Sequence, residues 1–125
     1  MWEPIPRKKM PQIRSHSMDR FLGWLRQDGV VVTTSSQFAT YNASQIEVVL
    51  VDNLAAVASR SANLDKPILV SEDGFIADGH HRHEVCRQLN RQVVVNRVKL
   101  PMGSLVERMH VFNALHPESM EYSGV

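Results

Sequence analysis

Hydrophobic positions along the chain change period several times, and each change predicts an element. Residues 1–16 carry Pro4, Pro6 and Pro11 with no sustained period, and each proline disfavours helix in the residue before it, so an extended N-terminal arm is expected. Phe21, Leu22 and Leu25 then fall at helical spacing. Ser17 or Asp19 can cap that helix and Gly29 can close it in a left-handed conformation. The β-branched run Val30 to Thr34 predicts a strand, and Ser35, Ser36 and Asn42 predict the polar loop after it.

Residues 42–47 are read as a turn into a short strand over 48–51. Asp52 is placed as the cap of a helix over 53–60, where Leu54, Val57 and Ala58 recur at helical spacing. Pro67 opens a buried strand, Ile68 to Val70, and Glu72-Asp73-Gly74 is a hairpin turn leading to a second strand, Phe75 to Ala77. A helix over His81 to Leu89 presents Val85, Cys86 and Leu89 to the core. A strand over Val93 to Leu100 follows, then a last helix over Ser104 to Leu115 with Leu105, Met109 and Phe112 aligned, and the tail from Pro117 is read as loose. Short strands interleaved with helices give an α+β class: one small mixed-sheet domain over 17–116, between the arm and the tail.

Composition changes this picture little. A chain of 125 residues is long enough to bury a core without disulfides, and a net charge of +1 gives no global signature for nucleic acid. The single cysteine, Cys86, excludes an internal disulfide framework, and no stretch approaches the ~18 apolar residues of a membrane span, so a cytoplasmic protein with no membrane partner is expected. The apolar last helix, with Met102, Val106, Met109 and Phe112, could pack on a neighbouring subunit; covering its own core is the more economical use.

The densest chemistry lies at the join of the second hairpin strand and the next helix: Asp78-Gly79-His80-His81-Arg82. A glycine there lets the backbone approach a bound group, and a helix starting there offers N–H donors at the positive end of its dipole. Arg82 adds a bidentate donor for phosphate, and His80 and His81 add groups that titrate near neutrality. Asp78 fits as the helix N-cap, as a ligand for a Mg²⁺ bridging phosphates, or as a base. The plainer reading is an Asp-Gly cap followed by solvated histidines. There is no Walker A loop, and His80, His83 and Cys86 lack the fourth ligand and second paired motif of a structural zinc site. Arg82, Arg87, Arg91, Arg97 and Lys99, with Arg7, Lys8, Lys9 and Arg14 of the arm, form a candidate patch for DNA phosphates, diluted by Glu72, Asp73 and Glu84.

The run from Lys66 to Leu100, KPILVSEDGFIADGHHRHEVCRQLNRQVVVNRVKL, resembles the core of the ParB N-terminal/sulfiredoxin-like superfamily, with its strand, tight turn, strand, G-x-x-R phosphate box, helix and strand. A looser likeness to phage and plasmid ParB-like proteins extends to ASQIEV (residues 43–48) and to the IPRKKMPQI arm. The resemblance implies that Gly79, His80, His81 and Arg82 hold a nucleotide (ATP, or ADP or CTP), and that Asp78 serves a Mg²⁺. Where sulfiredoxins have their catalytic cysteine this chain has His80, which speaks against sulfinic-acid reduction. ParB itself follows its CTP box with a helix-turn-helix domain and a dimerisation tail, for which this chain is too short, so a centromere clamp by itself is not expected. Similarity to the free-serine kinases of the superfamily makes Glu47 the general base, with Asp78 and His81 as its catalytic partners. The implied activity is Mg-dependent phosphoryl transfer or nucleotide hydrolysis, with a hydroxyl-bearing small molecule or DNA as acceptor. The alternatives are a non-catalytic phage or plasmid module that binds DNA or protein, and a ParB-like nuclease.

Overall fold

The computed structural model describes residues 2–47 and 64–117. The predicted strand over 48–51, the helix over 53–60 and the tail beyond residue 117 lie outside them. The fold is α+β: a five-stranded mixed sheet with three helices among the described residues. In chain order these are α1 (Met18–Gln27), β1 (Val32–Phe38), β2 (Asn42–Ala43), β3 (Ile68–Ser71), β4 (Phe75–Asp78), α2 (His80–Gln88), β5 (Gln92–Val98) and α3 (Met102–Leu115).

The sheet order is β1-β5-β3-β4-β2. β3 and β4 form the predicted antiparallel hairpin, and α2 carries the chain back so that β5 runs parallel to β3 on its far side. β1 pairs antiparallel with β5 over seven residues, Val32 opposite Val98 through Phe38 opposite Gln92. Every residue of β3 is buried, as a short continuous apolar run predicts when both faces of a strand are covered. On one face α1, α3 and the arm pack Phe21, Leu25, Leu105, Met109 and Phe112 against Leu69, Phe75, Ala77 and Val98. On the other, Cys86 of α2 packs on Ile68, Val70, Ile76, Val93 and Val95. The apolar stripe of α3 therefore covers its own core: Met102, Met109 and Phe112 are fully buried.

Several expectations shift. The arm contains two short 3₁₀ turns, Arg7–Lys9 and Ser15–Ser17, and buries Met10 and Ile13 in the main core, because two apolar side chains among its polar residues suffice to anchor it. Ile5 bridges Gln45 in parallel and accepts the Ile46 amide at 2.9 Å. Ser35 and Ser36 belong to β1 instead of a loop, since pairing with β5 overrides their weak strand propensity, and Asn42 lies in the two-residue β2. α2 begins one residue earlier than predicted, at His80, and Leu89 lies just beyond its end, exposed, not in the core. There the chain leaves the helix through Asn90 at φ 51°, with the Arg91 amide bonded to the Cys86 carbonyl at 2.8 Å. β5 ends at Val98, and α3 starts at Met102, whose amide donates to Asp73 of the hairpin turn at 3.0 Å. No helix among the described residues is long and apolar enough to cross a membrane.

Candidate functional site

Gly79 is the N-cap of α2, in the left-handed region at φ 94°, ψ 26°. A side chain there would collide with the sheet: a Cβ would lie 2.5 Å from Cγ2 of Ile68 and 3.1 Å from Nη2 of Arg82. Glycine thus allows both the turn and the approach of the guanidinium to the head of the helix. The amides of His80, His81 and Arg82 form the first turn, which has no intrahelical acceptors, and no side chain caps it. Asp78 is therefore not the N-cap. Its carboxylate reaches sideways to Arg82, Oδ2 to Nη2 at 3.4 Å, because the left-handed Gly79 turns the chain between it and the helix amides.

Arg82 also donates from Nη2 to the Pro67 carbonyl at 3.1 Å, while its Nε is buried without a partner. Beside it lies a cavity of about 410 Å³, lined among others by His16, Asp19, Lys66, Asp78, Arg82 and Asn96. Three basic side chains thus face one space with two carboxylates. Among the described residues no group of three or more His, Cys, Asp or Glu side chains could hold a metal ion. Mg²⁺ asks for less, one or two carboxylates with the rest of its shell from phosphate and water, and Asp78 and Asp19 are the two carboxylates that line this cavity.

The histidines face elsewhere. His80 accepts the Ser44 amide at Nε2, 3.2 Å, and His83 accepts the Tyr41 amide at Nε2, 3.1 Å. Nitrogens that accept N–H bonds carry no proton, so both rings are neutral with the proton on Nδ1. Burial is the main cause that lowers the His80 pKa from 6.5 to about 4, with the charges of His83 and Arg7 adding to it. Burial likewise lowers that of His83, while Glu84 opposes the shift. Both imidazoles therefore fasten the segment after β1 to α2, and His83 is buried. They border a second cavity, of about 430 Å³, that also contains Glu47, Glu84 and Arg87. Glu47 accepts the Arg7 amide at 2.8 Å, and Glu84 is held well below the usual carboxylate range, at about 2, chiefly by its hydrogen bond from Arg87.

The predicted site is thus divided. Asp78 and Arg82 border the first cavity, Glu47 and His80 the second, with Gly79 and the first turn of α2 between, and His81 is exposed outside both. Cys86 is buried in the core beneath α2, where burial raises its pKa. Of the basic patch, Arg87 pairs with Glu84, Arg91 with Asp65, and Arg97 donates to the Glu72 carbonyl, which disperses its charge. Sequence reasoning missed His16 and Asp19, around the start of α1, and Lys66, before β3, which come from two distant segments and share no motif. It also missed Ser44, fully buried, whose carbonyl accepts from Trp2 Nε1 and the Ile5 amide, both at 3.1 Å. Comparison with family models, with curated proteins and with solved structures finds no match to this chain.

Proposed function

We propose that the chain binds the phosphates of a nucleoside di- or triphosphate at the head of α2 and acts there in Mg-dependent phosphoryl transfer or nucleotide hydrolysis. The observation that carries this reading is the Arg82 guanidinium, drawn back over Gly79 with its Nε unpartnered and its cavity shared with Lys66 and His16. Phosphate oxygens would take the first-turn amides and the guanidinium, both suited to a multiply charged anion. Phosphoryl transfer asks mainly for positioning and charge neutralisation, and Asp78 with Asp19 would hold a Mg²⁺ that supplies the latter. Glu47 borders the second cavity, across the first turn of α2, so it would serve as base only for an acceptor that spans this turn to reach the bound phosphate. The resemblance of the Asp78 to Arg82 run to the ParB/sulfiredoxin-like phosphate box agrees with this assignment.

A second reading, a binding module without catalysis, draws on one observation: Glu47 is already engaged by the Arg7 amide. Calorimetry with a non-hydrolysable ATP analogue and Mg²⁺ tests the shared part of the two. Arg82→Ala is expected to weaken binding about ten- to a hundredfold, the loss of one or two charge-assisted hydrogen bonds, with the fold retained. Affinity unchanged by that substitution would refute the phosphate cradle. Turnover of ATP that disappears in Glu47→Gln supports the enzyme; binding without turnover supports the module.

A further inference from the structure

β1 forms one edge of the sheet and is exposed along most of its length. From Val30 to Tyr41 the chain has no charged residue and no proline, so the side-chain devices that keep a sheet edge from pairing with another chain are missing from it. The hydrogen-bond phase of this edge follows from one contact. The Lys99 amide donates to the Val31 carbonyl at 2.9 Å, and these two residues lie opposite each other in the antiparallel register that pairs Val32 with Val98. Because bonded and non-bonded pairs alternate, Thr33, Ser35 and Gln37 turn their backbone groups toward β5, while Val32, Thr34, Ser36 and Phe38 turn theirs outward. None of those outward groups has a hydrogen-bond partner among the described residues.

We infer that β1 is a self-association edge, and that a second copy of this chain pairs with it antiparallel about a two-fold axis at Ser35. That register sets Val32 against Phe38 and Thr34 against Ser36. These four residues each have one N–H and one C=O turned outward, so the register satisfies all of them at once. It also matches like with like. Phe38, 54% exposed, meets a β-branched side chain on its own face of the sheet, hydroxyl meets hydroxyl, and Ser35 meets Ser35. Aromatic to β-branched and Thr to Ser cross-strand pairs are both favourable, and no charge opposes another. A foreign peptide could use the backbone groups, but the symmetry of the side-chain pattern about Ser35 is complementary to the chain itself. The product is a continuous ten-stranded sheet, five strands from each copy.

Edge pairing buries less surface than a standard stable interface, so the assembly is expected at high concentration: sedimentation of the intact protein from about 10 µM to about 1 mM should show the mass rising from one chain toward two. Ser35→Lys, which sets two ammonium groups face to face, should hold the mass at 14.2 kDa throughout. Ser35→Thr should dimerise at least as well as wild type. Ser35 is exposed, so all three proteins should share one circular dichroism spectrum and melting temperature. Hydrogen exchange gives an independent reading: the amides of Val32, Thr34, Ser36 and Phe38 should exchange quickly in dilute protein and slow with concentration, while those of Thr33, Ser35 and Gln37 stay protected at every concentration. A wild-type mass fixed at one chain over the whole range would overturn the inference. So would a Ser35→Lys protein that dimerises as well as wild type.

Discussion

The two flanks of the first turn of α2 use similar residues in opposite ways. On one, His80 and His83 spend their acceptor nitrogens on the amides of Ser44 and Tyr41, and the imidazoles are structural fastenings. On the other, Arg82 holds Asp78 at 3.4 Å, leaves Nε without a partner and opens onto the cavity that also contains Lys66 and His16. A satisfied polar group rigidifies its surroundings, whereas a buried donor without an acceptor is a standing cost. Changes on the imidazole flank should therefore register in stability, and changes on the guanidinium flank in anion affinity.

The largest effect is expected where the flanks meet. Gly79→Ala puts a Cβ 2.5 Å from Ile68 Cγ2, on a strand with no room to move, at a φ that alanine resists. Overpacking and backbone strain together should cost about 3 kcal/mol or more in urea unfolding. Gly74→Ala is the control, because Gly74 has φ 87° but nothing within 4 Å of the added Cβ, leaving the strain alone at about 1 to 2 kcal/mol. Equal losses in the two variants would mean that the close approach at Gly79 constrains nothing.

How much of this was legible in the sequence depends on the range of the interaction concerned. The hairpin at Glu72 to Gly74, the buried run of β3, the capping glycine after α1 and the stripe of α3 are local patterns, and all four appear where the periodicity puts them. The strand character of Ser35 to Phe38 was not local: those residues form a strand because β5 lies alongside. For the same reason the DGHHR run could be recognised as chemically dense, but not divided into its two flanks. The division depends on Tyr41 and Ser44 approaching from one side and His16, Asp19 and Lys66 from the other, and no spacing within the run encodes those neighbours. The arm was misjudged because proline content reports backbone conformation and says nothing of where Met10 and Ile13 are buried.

The next effect belongs to the imidazole flank alone. His80 titrates at about 4 in the folded chain and near 6.5 when unfolded, so between those values the unfolded chain binds more protons. Stability contributed by the neutral ring is complete above pH 6.5 and is lost as pH falls toward 4, to a total of about 2 to 3 kcal/mol. Other acidic groups also shape an acid unfolding curve, so the difference between wild type and His80→Gln is the useful measurement. Glutamine can accept the Ser44 amide and does not titrate in this range. The variant should lose distinctly less stability than wild type between pH 6.5 and 4. Parallel curves would show that the Ser44 bond does not depend on the neutral ring.

The smallest effect tests whether the flanks are separable. Ser44 is fully buried, donates from Oγ to the Ile76 carbonyl, gives its amide to His80 and takes two donors from the arm at its own carbonyl. Ser44→Ala keeps the three backbone bonds and removes only the hydroxyl, so Ile76 loses one donor in a buried place, at a cost of about 1 kcal/mol. Ile76 lies on β4, two residues before Asp78, and carries the strand that ends at the guanidinium flank. If the flanks are independent, the variant melts earlier but binds a nucleotide analogue with wild-type affinity. If affinity falls as well, the fastening by Ser44 also sets the position of Asp78 and Arg82, and the two halves of the turn act as one unit.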